Sequence, residues 1–275
     1  MVLKRLSPFG LFFLLFTACA GNPLFLPLPL PGNVSVDEVS TGMPFFASQS
    51  AGSGLVFIGA VGRRSNPKET IQLALEDAAQ RVAIFQEIFG EYAVQNNVGS
   101  GAFDYTYNTY TNLIYNREGA AQYVDSLKYD ADTDAVEIDN VFFIRTTYPS
   151  ALPFPVNYRP QYSGADKKPS WVDDPPSEIN GYEVGIGYAG RHSSMSDTYT
   201  NSRNNAVFAI IRKINAVSQA SSLLYQSTGS LFGYKTSDDN VIYSYGTLNG
   251  FYVLDAWIDP ASKAVWTLAI ARKSQ

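Results

Sequence analysis

The chain has 275 residues, a net charge of -5 at neutral pH, 45% hydrophobic residues and only 16% charged ones. An acidic chain without basic clusters argues against nucleic acid as a partner. With one histidine and one cysteine, a histidine triad, a multi-histidine zinc site and an internal disulfide have almost nothing to draw on. Abundant tyrosine and phenylalanine (18 and 17 residues) favour β-rich structure with aromatic faces.

In chain order, Lys4 and Arg5 precede a short apolar run from Phe9 to Phe16. That run falls short of the ~20 residues a spanning helix needs and reads as a removable leader covering residues 1–18. It ends in Phe16-Thr17-Ala18-Cys19, which resembles the bacterial lipobox, with phenylalanine where leucine is usual. The resemblance implies cleavage before Cys19, lipidation of its thiol and anchorage to a membrane. Two or more acyl chains, at ~0.8 kcal/mol per buried methylene, hold a protein there stably. Loss of Lys4 and Arg5 with the leader moves the net charge from -5 to -7. Ala20 follows the cysteine in place of an inner-membrane-retaining aspartate, which leans toward an outer membrane lipoprotein facing the periplasm, with surface exposure left open. Residues 19–43, where Pro23, Pro27, Pro29 and Pro31 alternate with bulky apolar residues, read as an extended tether.

An internal repeat follows. Val56-Phe57-Ile58-Gly59-Ala60-Val61-Gly62-Arg63-Arg64-Ser65 matches Val184-Gly185-Ile186-Gly187-Tyr188-Ala189-Gly190-Arg191-His192-Ser193 as V-x-I-G-x-x-G-R-x-S. The alignment continues through Ala78 with Ala206 and Val82 with Ile210, and ends with Asp130 to Val136 against Asp259 to Val265. The expected fold is therefore α+β: two tandem repeats, 44–148 and 169–275, separated by a Pro/Tyr-rich linker at 149–168. Each repeat reads β-α-β-β-β, with one long helix packed on a mainly antiparallel sheet. The first helix stripe runs Ile71, Ala74, Ala78, Val82, Phe85, Phe89, Ala93, and the second Ala206, Ile210, Ile214, Val217, Ser221, Leu224. Asn66-Pro67 and Ser196 supply cap chemistry. In the first repeat the later strands are expected at Phe103–Tyr115, Tyr123–Tyr129 and Val136–Arg145, with a hairpin turn at Asp132-Thr133-Asp134; in the second they fall at Val241–Tyr245, Phe251–Ile258 and Ala264–Ala271.

The candidate shared loop consists of Arg63, Ser65, Arg191 and Ser193. These residues either bind an anion or a glycan, or brace the loops against Glu69 and Asp197; bracing is the preferred reading. Gly185-x-Gly187-x-x-Gly190 resembles a dinucleotide fingerprint, but its helix starts late and its strands look antiparallel, so the glycines read as packing positions. The tyrosines at 105, 107, 110 and 115 make an aromatic face, preferred as core over an exposed partner or glycan surface. Asp130, Asp132 and Asp134 alternate as calcium ligands can, yet lack the loop glycine and distal glutamate, and read as a turn.

A lipobox, Pro169-Ser170-Trp171, the V-x-I-G strand, an alanine-dotted helix and the closing Asp259-Pro260-Ala261-Ser262-Lys263-Ala264-Val265-Trp266-Thr267-Leu268-Ala269 together resemble the Lpp-twenty-type bacterial lipoproteins. These are related to the flagellar lipoprotein FlgP and the FlgT N-terminal domain. The resemblance is better in the second repeat. It implies a non-catalytic envelope protein without cofactor or metal, acting in assembly or scaffolding through self-association or with envelope or flagellar proteins. The alternative is a periplasmic binding or regulatory module for peptidoglycan or a wall-building enzyme.

Overall fold

A computed structural model describes residues 45–46, 54–98, 105–130, 132–149, 158, 160–164, 167–227 and 240–272. The leader, Cys19 and the whole of the expected tether lie outside these residues. The chain is mixed α+β with antiparallel sheets.

Strand β1 (Gly54–Gly62) leads into helix α1 (Pro67–Gln86), whose start is written in the sequence. Asn66 Oδ1 accepts from Lys68 N, Pro67 occupies the first turn, and Thr70 Oγ1 donates to Asn66 O. The expected stripe overruns this helix. Phe89 and Ala93 belong to β2 (Ile88–Val98), which pairs with β3 (Tyr105–Ile114). Positions i and i+4 share a face in both a helix and a strand, so that spacing could not mark the change. The expected strand at Tyr123–Tyr129 is largely a 3-10 helix, Glu118–Ser126. The half closes with β4 (Ala135–Ile138) and β5 (Val141–Pro149), joined through Asp139 and Asn140, both at positive φ (48° and 62°). This pair gives the tight primed turn that matches strand twist.

The presumed linker is partly ordered structure: β6 (Tyr162–Ser163) pairs with β7 (Lys168–Pro169). Then come β8 (Glu178–Ile179), β9 (Tyr182–Ala189), helix α2 (Met195–Ser227), β10 (Asn240–Leu248), β11 (Tyr252–Ile258) and β12 (Val265–Arg272). The second cap is Ser194, whose Oγ accepts from Asp197 N, and not Ser196.

In one sheet β5 lies between β1 and β4; in another β12 lies between β9 and β11, with β8 beyond β9. A third sheet, β10-β2-β3, joins a strand from the second half to two from the first. The halves also share apolar clusters: Ile84 and Ile88 pack with Val207, Ile211, Leu248 and Phe251. Tyr252 sets its ring against Phe57 and Phe85, with centroids 5.6 and 6.1 Å away.

Each helix sits tight on its strand at a glycine. A methyl on Gly59 would lie 1.9 Å from Ala74 O, and one on Gly187 1.9 Å from Ser202 O. Gly185 likewise faces Ala206 O at 2.5 Å. The glycine pattern on β9 thus serves helix–strand approach.

The closing match between the halves needs correction. Glu137 lies opposite Phe142, which pairs with Val61, and Ile258 lies opposite Val265, which pairs with Ala189. Asp139-Asn140 joins β4 to β5, and the Asp259–Ala264 turn joins β11 to β12. Asp130–Asp134 is a separate turn ahead of β4, closed by Asp134 N donating to Asp130 O at 2.7 Å. Both segments are rich in turn-forming residues, and that shared composition drew them together.

Candidate functional site

The Arg63 loop is braced, but not by Glu69. Arg63 Nη1 meets both carboxylate oxygens of Glu137 at 3.0 and 3.1 Å, and Arg63 N donates to Asn140 O. Glu137 is buried, while the arginine side chain is 44% exposed. Arg191 is exposed and forms no ion pair among the described residues; Asp197 does not hold it. Ser65 and Ser193 are both exposed. The loops share one backbone device. Arg64 N and His192 N donate to Thr70 Oγ1 and Thr198 Oγ1, which donate in turn to Asn66 O and Ser194 O. His192 Nε2 lies 3.2 Å from Asn201 Nδ2. Among the described residues no hydrogen bond or ion pair joins the two loops, so the four expected residues form two surface turns and not one site.

Two buried polar clusters escaped the sequence reading. The first seals the free edge of β1. Val56 N donates to Tyr252 Oη (3.0 Å), Ala60 N donates to Asp77 Oδ2 (2.9 Å), and Ile58 O accepts from Arg203 Nη1 (3.2 Å). Asp77 also accepts from Arg81 Nη2 at 2.6 Å and from Arg203 Nη1 and Nη2 at 3.3 Å. Burial pushes the Asp77 carboxyl up, but the charges of Arg203 and Arg81 outweigh it and hold the group below the usual carboxylate range. Arg203 is pulled down by burial and by Arg81, yet a guanidinium keeps its proton at physiological pH. Its guanidinium lies 4.4 Å from the centre of the Tyr199 ring, whose hydroxyl burial pushes up to about 12.

The second cluster centres on Asp255, 1% exposed at the register shift in β11. Its Oδ2 accepts from Trp171 Nε1 at 2.8 Å and from Tyr162 Oη at 3.1 Å, while Oδ1 accepts from Ala256 N. Burial pushes this carboxyl up to about 7, against those three hydrogen bonds. Trp171 is fully buried, so Asp255 ties the segment ahead of β8 to the second sheet. A sequence signal existed: one carboxylate inside the apolar stretch Tyr252-Val253-Leu254-Asp255-Ala256-Trp257-Ile258.

The tyrosine face is not simply core. Tyr110 is 57% exposed and Ile114 is exposed beside it on β3, whereas Tyr115 is partly buried and its hydroxyl donates to Gln80. Among the described residues no helix is long and apolar enough to cross a membrane, and no group of three or more His, Cys, Asp or Glu side chains is arranged to hold a metal. Compared with known proteins, the chain matches no family model, no curated protein and no solved structure.

Proposed function

We propose that this chain is an exported, non-catalytic bacterial lipoprotein, held at the outer membrane through Cys19, whose folded part faces the periplasm and acts in assembly or scaffolding. The carrying observation is the sole cysteine, set directly behind a charged and apolar leader by Thr17 and Ala18. The family resemblance makes the flagellar apparatus or a second copy the natural partner.

The folded part is, in this proposal, a tandem duplication. Support comes from the matching strand orders β1-β5-β4 and β9-β12-β11. It comes also from equivalent contacts at one spacing of 128 positions: Gly59 on Ala74 beside Gly187 on Ser202, and Thr70 beside Thr198. Asn205 continues the series from Asp77: its Nδ2 donates to Tyr188 O, as Asp77 accepts from Ala60 N. Exposed strand edges and aromatic faces are the surfaces by which such modules join.

Mass spectrometry of the native amino-terminal peptide tests the anchor. Acylated Cys19, and release of a Cys19→Ser variant from the membrane fraction, are expected; a free thiol on a soluble native protein overturns the anchor. Light scattering and cross-linking test assembly, which a strict monomer recovering no partner would refute. The exposed Tyr110, Tyr188 and Tyr245 favour a second reading, a periplasmic binding or regulatory module. Pull-downs with peptidoglycan and wall-building enzymes separate the two, and retention of neither removes it.

A further inference from the structure

Where β1, α1, α2 and β11 meet, the structure leaves a cavity of about 30 Å³ lined by Arg81 and Arg203 among other residues. Such a volume holds about two water-sized atoms. The Nε atoms of both arginines are buried, and neither N–H has an acceptor in the described protein. Arg203 is 2% exposed. Arg81 Nη2 is engaged with Asp77, and both terminal nitrogens of Arg203 with Asp77, Ile58 O and Thr200 Oγ1.

The charge count is uneven. Asp77 is the one carboxylate among the hydrogen-bonding partners of the two guanidinium groups, whose side chains are 14% and 3% exposed, so one positive charge is left over where water has little access. An unpaired buried charge is costly, and an unmade hydrogen bond adds to the cost. Water would satisfy the Nε–H groups and leave the charge. An anion answers both. The rest of the lining is largely apolar, including Ile84, Val207 and Phe251. That wall and the small volume favour a compact, weakly hydrated ion over a tetrahedral oxyanion such as phosphate.

We propose that a small monovalent anion of halide size binds in this cavity, accepting from Arg81 Nε and Arg203 Nε, and thereby locks the two halves of the molecule together. It is a structural site, independent of the membrane anchor and of any partner.

Thermal unfolding of the mature full-length protein at constant ionic strength, with chloride replacing gluconate, tests it. The expected result is a saturable rise in Tm, on the order of 3–5 °C at tenfold over Kd. Phosphate should give no such rise. An Arg81→Gln variant, which removes the surplus charge, should lose the chloride response. If that variant does not fold, a bromide-soaked wild-type crystal serves instead, with an anomalous peak expected between the two arginines. Equal Tm in chloride and gluconate, an undiminished response in Arg81→Gln, or a bromide-free cavity holding only water would each overturn the site.

Discussion

Replacing Asp255 by asparagine should remove a stability slope that runs opposite to ordinary acid denaturation. In the folded chain the Asp255 carboxyl is raised to about 7 from an ordinary value of 3.8. The folded protein therefore binds this proton more tightly than the unfolded chain does. The resulting stability is fully present below the unfolded value and is lost as pH rises through the folded one. At 1.36 kcal/mol per pH unit, the loss between pH 4 and pH 8 is about 4 kcal/mol. For a folded part of this size that corresponds to a Tm fall on the order of 8–16 °C. Asparagine is neutral throughout, and its carbonyl oxygen can still accept from Trp171 Nε1 and Tyr162 Oη. Only the bond from Ala256 N is lost, at a pH-independent cost of about 1 kcal/mol. Urea unfolding followed by tryptophan fluorescence, on wild type and Asp255→Asn from pH 4 to 8, gives the difference curve in which all other titrations cancel. The wild type should be the more stable at pH 4 and the less stable at pH 8. A difference that stays constant within about 1 kcal/mol refutes the reasoning and would mean that Asp255 is ionised and compensated in the fold.

Gly59→Ala and Gly187→Ala should each cost about 3 kcal/mol, because the added methyl meets helix backbone and not a movable side chain. Gly62→Ala, whose methyl meets nothing within 4 Å, should stay within about 0.5 kcal/mol by chemical denaturation. Arg63→Ala strips the buried Glu137 of its partner and should cost about 1–2 kcal/mol, allowing for the exposed arginine; Arg191→Ala should change stability by less than about 0.5 kcal/mol. Asp77→Asn leaves the buried Arg203 and the partly buried Arg81 without a carboxylate and should cost about 3–5 kcal/mol at neutral pH. Since Asp77 is lowered when folded, that difference should persist down to about pH 4 and shrink only as pH falls through the folded value, as acid-unfolding curves would show.

The start of the first helix and the glycine packing on β9 were legible because each rests on local chemistry, a cap at Asn66 and a glycine opposite a helix, whereas the single strand expected at Val136–Arg145 is two, parted at Asp139-Asn140. The second-half strands fall where the sequence placed them. The end of α1 was not legible, since Phe89 and Ala93 fit a helix stripe and a strand face equally, and only pairing with β3 and β10 decides between them. The acid partner of Arg63 was missed because β4 arrives from 74 positions along the chain, beyond any local pattern. For Asp77, Arg81 and Arg203, charged residues beside an apolar stripe read as a solvated flank until a second helix covers it.

Under the proposed duplication, the residues that depart from the common pattern are those through which the halves meet. A strand at a sheet edge presents unpaired N–H and C=O groups, and its polar groups must be covered or left to water and to other chains. On β1 the cover is supplied by Asp77 and, from the other half, by Arg203 and Tyr252. By the same 128-position spacing, the first-half counterpart of Arg203 is Leu75, an apolar core residue, so no guanidinium at that position reaches back to β9. There the neutral Asn205 meets Tyr188 O, and the Tyr188 ring stands 49% exposed against Trp266. Two copies of one frame can bury only one of their two edges against each other when they pack in this sense. The charged cluster on β1 therefore fixes which edge is spent inside the molecule. The edge of β9 beyond its short pairing with β8 receives no such cover from Arg203 or Tyr252.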